Sequence, residues 1–228
     1  KHCPALKDDG TVVAWGDNIY GQCDVPSGLN NVARIYVGRD FSLALKNDGT
    51  VVAWGSNKDY SGNEYTCGQC DVPEGLSGVV DIAIRDQTCI ALKNNGTVVV
   101  WGDNNYGRRN VPNGLHGVAA VSGRHGIAAI KTDGTVVNWG YIYWYENLLA
   151  GLSKVLTISN STNTAVFRDG SLRYFNTHSP TALGVNEGLT GLNVLSGHFF
   201  AIDNVELLDS EGPVIISVPS QGGYRIQA

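Results

Sequence analysis

Lys46-Asn47-Asp48-Gly49-Thr50-Val51-Val52-Ala53-Trp54-Gly55 is the stretch on which the fold turns. It holds the end of one apolar segment, an Asn-Asp-Gly turn, and a β-branched segment closed by Trp-Gly. Gly and Asn accept the positive φ that a tight hairpin turn needs, so the stretch reads as two antiparallel strands and their turn. The same pattern stands upstream from Lys7 to Gly16 and downstream from Lys93 to Gly102 and from Lys131 to Gly140. Weaker copies lie at Arg168-Asp169-Gly170-Ser171-Leu172 and Ser210-Glu211-Gly212-Pro213-Val214. The turn glycines 10, 49, 96, 134, 170 and 212 are separated by 39, 47, 38, 36 and 42 residues. A period near 40 residues, built from short strands, is the signature of a β-propeller.

Outward from the hairpin, each unit gains a first strand, Val32 to Val37 in one copy and Val79 to Ile84 in the next. Gly-Leu pairs at Gly28, Gly75, Gly114, Gly151 and Gly188, and Val-Pro pairs at Val25, Val72 and Val111, mark the connectors. The expected fold is all-β: a propeller of about six, alternatively seven, three-stranded antiparallel blades in a single domain over 1–228. The repeats are strong over 1–140 and degenerate over 141–228. One such sheet cannot bury both faces, so the blades must stack. Trp15, Trp54, Trp101 and Trp139 close the third strand of successive units, with Phe175 in that place in the fifth, and read as inter-blade packing. The first unit opens at its second strand. The tail Gly223-Tyr224-Arg225-Ile226-Gln227-Ala228 is expected to supply the missing strand, close the ring and hide both edges.

Composition narrows the function. The 228 residues include 29 Gly and no Met, are 43% hydrophobic and 16% charged, and carry a net charge of −5. Charge is too sparse for disorder, and no apolar run approaches the ~20 residues of a membrane span. An acidic balance without a Lys/Arg cluster argues against a nucleic-acid partner. The missing Met and the start inside a repeat suggest a chain processed, secreted or cut from something larger.

The unit from Gly38 to Gly55, followed by Asn-x-Tyr-Gly-Gln as at 18–22, resembles the regulator-of-chromosome-condensation repeat. The Gly-Gln-Cys-Asp-Val-Pro connectors at 21–26 and 68–73 resemble those of the secreted propeller-type β-lactamase inhibitory proteins more closely. The resemblance implies a propeller that binds proteins. It transfers neither the inhibitor's target nor nucleotide exchange on a small GTPase.

Topology sorts the loops. Asp-Gly turns share one face of the disc and are nearly identical. The opposite face collects the turns after strand one and the exits from strand three, and it varies. There stand Arg39 and Asp40, Tyr60 and Tyr65 in the insertion 56–67, Tyr106, Arg124 and His125, and the run Tyr143-Trp144-Tyr145. Tyr20, Phe41, Arg85 and Asp86 fall on the same face. Tyr, Trp and Arg anchor binding surfaces because they combine contact area with a polar tip, and aromatics also stack on sugars. These ten candidates, Tyr60 to Tyr145 with Arg39 and Asp40, are therefore assigned to a protein or cell-surface glycan partner. The isolated tyrosines also fit repeat architecture, and the 143–145 run fits packing as well as binding.

Chemical signatures are sparse. Cys3 and Cys89 hold the same strand-two position and are expected to be buried. Cys67 and Cys70 are the one local pair, read as a loop-closing disulfide of an oxidising compartment. No catalytic, metal or cofactor motif occurs, and Asp17-Asn18 and Asp103-Asn104 read as turns. Asn95-Gly96-Thr97 and Asn160-Ser161-Thr162 fit the glycosylation sequon. The resulting expectation is a non-catalytic binding module, without cofactor or metal, that is extracellular, secreted or on a virion surface. Its alternatives are a hydrolase or lyase at the channel mouth, using Asp40, Asp86, Glu64 or His125, and a structural spacer of a larger assembly.

Overall fold

A computed structural model describes residues 1–58, 67–123, 126–140, 152–159 and 164–168, and the strands at 172–175, 183–186, 192–195, 199–202, 205–209 and 212–216. Residues Lys1–Ser153 and Lys154–Ala228 form two compact units. In the first unit, β1 (His2–Leu6) and β2 (Val12–Gly16) make a two-stranded hairpin. Three three-stranded antiparallel sheets follow: β3 (Val32–Val37), β4 (Phe41–Lys46) and β5 (Val51–Gly55); β6 (Val79–Arg85), β7 (Thr88–Lys93) and β8 (Val98–Gly102); β9 (Val118–Ser122), β10 (Ile127–Lys131) and β11 (Val136–Trp139). These are the blades expected from the repeat. The register is repeated too, since Cys3, Ser42, Cys89 and Ile127 face Trp15, Trp54, Trp101 and Trp139 across their hairpins.

The second unit continues the scheme with a variation. Its first sheet has four strands, β12 (Val155–Ser159), β13 (Thr164–Phe167), β14 (Leu172–Phe175) and β15 (Leu183–Asn186). Two hairpins follow, β16 (Leu192–Leu195) with β17 (Phe199–Ile202), and β18 (Val205–Asp209) with β19 (Gly212–Ile216). The boundary lies close to the point where the strong repeats end. One detail survives it: a register shift falls after the first residue of β3, β6 and β12 alike. The bulged residues Val80 and Leu156 point outward, which is why these two large apolar side chains are exposed. The segment 223–228, expected to close the ring, and the side chain of Phe175 lie outside the described residues.

Stacking in the first unit produces one core per interface. Val12, Val32, Ala44 and Trp54 join the first hairpin to the β3–β5 blade. Tyr36, Phe41 and Leu43 meet Ile82, Cys89 and Trp101 at the next, and Ile90 and Leu92 meet Ile127, Ala129 and Trp139 at the third. The connectors plug these cores: Val25 and Leu29, Val72 and Leu76, Val111 and Leu115 pack against them in turn. The Val-Pro and Gly-Leu landmarks are thus the apolar feet of the connectors. A polar bridge crosses the second interface, where the Tyr36 hydroxyl donates to Asp81 Oδ1 at 2.8 Å beside Arg34. Burial, and then the Asp81 charge, push the Tyr36 phenol above its ordinary pKa.

Two latches fix each interface. On the Asp-Gly face, the turn glycine carbonyl accepts the first N–H of the next blade: Gly10 from Val32, Gly49 from Val79 and Gly96 from Val118, at 3.0–3.1 Å. A Cβ on Gly49, whose φ is +78°, would stand 3.1 Å from Gly78 Cα and Val79 N, so side chain and interface compete for one space. On the opposite face, the Trp54 indole donates to Gln22 O at 3.0 Å, Trp101 to Gln69 O at 3.0 Å and Trp139 to Arg108 O at 2.8 Å.

Two expectations are corrected here. Trp15 is 55% exposed, against 5–7% for its equivalents Trp54, Trp101 and Trp139, and Cys3 opposite it is exposed rather than buried. Among the described residues no connector reaches this face of the first hairpin, so neither side chain has the neighbour that buries its equivalents. Phe41, expected on the loop face, is 1% exposed: its ring folds over Gly38, where a Cβ would collide with it, and enters the core.

The Asp-Gly turns are tied by their acids. Asp9, Asp48 and Asp133 each accept the side-chain hydroxyl and the backbone N–H of the Thr two residues on. The hydroxyl bond, then the backbone bond, hold the Asp9 and Asp133 carboxyls at about 2.

Two outcomes are expected. Trp54→Phe or Trp101→Phe strands a buried carbonyl and costs about 1–3 kcal/mol in urea denaturation, whereas Trp15→Phe stays within about 0.5 kcal/mol. Equal losses at all three positions would refute the latch. The folded pKa of Asp9 and Asp133 lies below the ordinary 3.8, so their contribution to stability is full above 3.8 and disappears as pH falls through about 2. Carboxyl NMR titration checks this, and midpoints near 3.8 would contradict it.

Candidate functional site

The connector face of the first unit is assembled from short loops that lock themselves. After β2, Asn18 Oδ1 accepts Cys23 N at 2.7 Å and Asn18 Nδ2 donates to Asp24 Oδ1 at 2.8 Å. After β5, Asn57 does the same with Cys70 N at 2.6 Å and Asp71 Oδ1 at 2.8 Å. After β8, Asn104 Oδ1 accepts Arg109 N at 2.7 Å, and Asp103 Oδ1 accepts Asn105 N at 3.0 Å. The Asp-Asn pairs are therefore turn-builders. Among the described residues no group of three or more His, Cys, Asp or Glu could hold a metal ion.

Beneath each connector lies one buried polar side chain in an equivalent place: Gln22, Gln69 and Arg108. Gln22 Oε1 accepts Tyr20 N at 2.8 Å, and Gln69 Nε2 donates to Lys58 O at 3.0 Å. Arg108, 5% exposed, carries a charge into the same position. Its guanidinium pairs with Asp103 Oδ2 at 3.2 Å and Asp86 Oδ2 at 3.1 Å, and Asp86 is also held by Arg85 at 2.6 Å. Asp86 itself has φ +53°, a left-handed conformation kept in place by the two arginines. Above the buried cation sits Tyr106, 61% exposed, with its ring centroid 5.4 Å from the Arg108 guanidinium carbon. The neutral Gly-Gln-Cys of the first two connectors has become Gly107-Arg108-Arg109 in the third. Arg109 is exposed.

Of the expected site residues, Arg39, Asp40 and Tyr106 are described, and all three stand at the same ends of the strands. Arg39 Nε lies 3.9 Å from Asp40 Oδ2, and the Arg39 side chain is exposed. Tyr106 belongs to a short 3-10 turn, Asn105–Gly107, at φ +63°. Tyr60, Tyr65, Arg124, His125, Tyr143, Trp144 and Tyr145 lie outside the described residues, as does Glu64. Sequence reasoning missed Arg108 and Asp103, which only contact geometry joins to Tyr106. Their one signal was the Arg-Arg at 108–109 where the repeat has Gln-Cys. Ile19 and Tyr20 of the first connector add exposed apolar surface. Asp40 lies beside Arg39 and Asp86 between two arginines, so both carboxylates are charge-compensated.

A family model for the regulator of chromosome condensation (RCC1) repeat matches residues 32–69 and 79–108. The chain is an RCC1-like β-propeller. No curated protein sequence matches it. Among solved structures it is similar to human WBSCR16, with a TM-score of 0.54 and 20% identity over 75% of this chain and 58% of that one. Prp20p of Saccharomyces cerevisiae, described with its binding to Gsp1p and histones, gives 0.55 and 17% over 75% and 54%. Yeast RCC1 (Prp20) bound to Kap60 gives 0.51 and 18% over 75% and 53%. The RCC1-like chain thus spans little more than half the length of these neighbours, and at such identities they show its fold. Propellers of this kind commonly mediate protein binding.

The same neighbours correct the expected extracellular, secreted or virion-surface location, because these RCC1-type proteins are intracellular. The cysteine argument for an oxidising compartment fails with it. Cys67 and Cys70 form no disulfide, and Cys70 Sγ donates to Ser56 O at 3.4 Å. Burial, aided by the Asp71 charge, pushes the Cys70 thiol up to about 12. Among the described residues no helix is long and apolar enough to cross a membrane.

Arg108→Met should cost about 2–3 kcal/mol in urea denaturation, less than for a fully buried pair because Asp86 keeps Arg85. A loss below about 0.5 kcal/mol would show that the network does not hold the third connector.

Proposed function

We propose that this RCC1-like propeller is a non-catalytic binding module that recognises a protein through its connector face, with Tyr106 as anchor. The observation that carries the reading is the exposed Tyr106 ring seated on a buried, doubly paired Arg108. A large aromatic already fixed by its loop loses little entropy on binding, and Tyr beside Arg is the composition of interface hot spots. Arg109, Arg39, Asp40, Tyr20 and Ile19 share the face and supply polar and apolar surround. The protein reading is favoured over a glycan because Prp20 was described with Gsp1p, histones and Kap60, all proteins.

Capture from extracts of the source cells, read by quantitative mass spectrometry, tests it. Proteins held by the wild-type chain should be held equally by Lys93→Glu, on the Asp-Gly face. They should be lost by Tyr106→Ala to about a thirtieth, the effect of removing a hot spot of about 2 kcal/mol. Thermal melts confirm that both variants are folded. Capture that survives Tyr106→Ala, or is lost with Lys93→Glu, would move the site elsewhere.

A further inference from the structure

Asn-Gly occurs twice in the chain, at 95–96 and at 113–114. Such a dipeptide is chemically labile, because the glycine nitrogen can reach the Asn Cγ and no side chain on the glycine obstructs it. The two sites differ in what surrounds them. Asn95 Oδ1 accepts Thr97 N at 3.1 Å and Thr97 Oγ1 at 2.7 Å, and Gly96 N donates to Lys93 O at 2.9 Å. Both reacting groups are thus engaged. Gly96 also abuts the next blade, since its Cβ position lies 3.2 Å from Gly117 Cα, and its carbonyl holds Val118 N at 3.0 Å. Bending this turn would open an interface.

Asn113-Gly114 is built differently. The turn from Pro112 to Leu115 is closed by Leu115 N donating to Pro112 O at 3.1 Å, and Gly114 is exposed at φ +74°. Nothing lies within 4 Å of the Gly114 Cβ position. Among the described residues, neither the Asn113 amide nor the Gly114 N–H makes a hydrogen bond. On the far side of the glycine, His116 Nδ1 meets Gly114 O at 2.6 Å.

We propose that Asn113 is a self-modification site, converting to aspartate and isoaspartate in the folded protein while Asn95 is protected. The Gly114 nitrogen attacks Asn113 Cγ; the new C–N bond forms as the Cγ–Nδ2 bond breaks, and the amide nitrogen leaves as ammonia with the proton from Gly114 N. Water then opens the cyclic imide at either carbonyl, giving aspartate or its β-linked isomer. Water is the one co-reactant and nothing is oxidised or reduced. The repeat shows that the aspartate product is tolerated, since this turn position is Ser27 in the first connector and Glu74 in the second. Isoaspartate instead lengthens the backbone between Val111 and Leu115, the two apolar feet of this connector, and so loosens its grip on the third core.

The full chain, incubated folded in mildly alkaline buffer at physiological temperature and in urea, is mapped by peptide mass spectrometry. In the folded chain the Asn113 peptide should gain the mass of the acid and split into two isomers. The Asn95 peptide should lag by about tenfold or more, because its hydrogen bonds must open first. In urea the two should convert at comparable rates. Folded conversion of Asn95 in step with Asn113, or conversion of Asn113 in urea alone, would overturn the proposal. Asn113→Ser, the residue of the first connector, should leave the melt unchanged and abolish the gain; a persisting gain would place the reaction elsewhere.

Discussion

The indole hydrogen bond from Trp54, Trp101 and Trp139 to a connector carbonyl is the constraint around which the first unit is organised. A three-stranded sheet has two faces to cover and no helix to cover them. The connector solves this by crossing to the next blade, and the carbonyls of Gln22, Gln69 and Arg108 fix where it lands. Once that point is set, Val25 and Leu29, or their equivalents, have only one place to go. The first hairpin shows the converse. Trp15 and Cys3 have the sequence of core residues, yet among the described residues no connector covers them, and they are exposed.

Because this latch uses a main-chain oxygen, it leaves the side chain at the same position unconstrained. Gln, Gln and Arg succeed one another there without disturbing the indole bond, which stays at 2.8–3.0 Å. What changes is the neighbourhood. A buried Arg demands carboxylates, and Asp86 and Asp103 provide them at the price of a left-handed Asp86. The scaffold can therefore alter the charge and rigidity of one connector while every blade interface keeps its geometry.

This division explains what the sequence could reveal. Hairpins, blade period and connector landmarks recur, and recurrence is readable, so strands such as Val32–Val37 and the Trp latch positions were legible. Burial of a particular copy was not, because Trp15 and Trp54 have the same local sequence and differ only in what lies opposite. Phe41 looked like a loop aromatic for a related reason: nothing local says that its ring turns back over Gly38. Tyr106 was legible as a candidate because aromatic residues in variable loops stand out. Its support by Arg108 and Asp86 was not, since the acid comes from a different loop of the blade. The disulfide reading failed because it rested on proximity in sequence alone: Cys67 and Cys70 form no disulfide, and the Cys70 sulfur donates to Ser56 O.

The two faces are also unequal in how freely they can vary. On the Asp-Gly face the turn itself is the joint: Gly49 O binds Val79 N, and the glycine leaves no room for a side chain against Gly78. Any residue change there is felt by the neighbouring blade. On the connector face the joint is one carbonyl per interface, and the loops around it are closed by their own Asn and Asp side chains. Substitution at Tyr106 or Arg109 is absorbed within the loop. A repeat protein that must keep its joints is freest to vary where the joint is a main-chain carbonyl rather than the turn itself, and that is why the partner surface proposed above lies on the face carrying Tyr106.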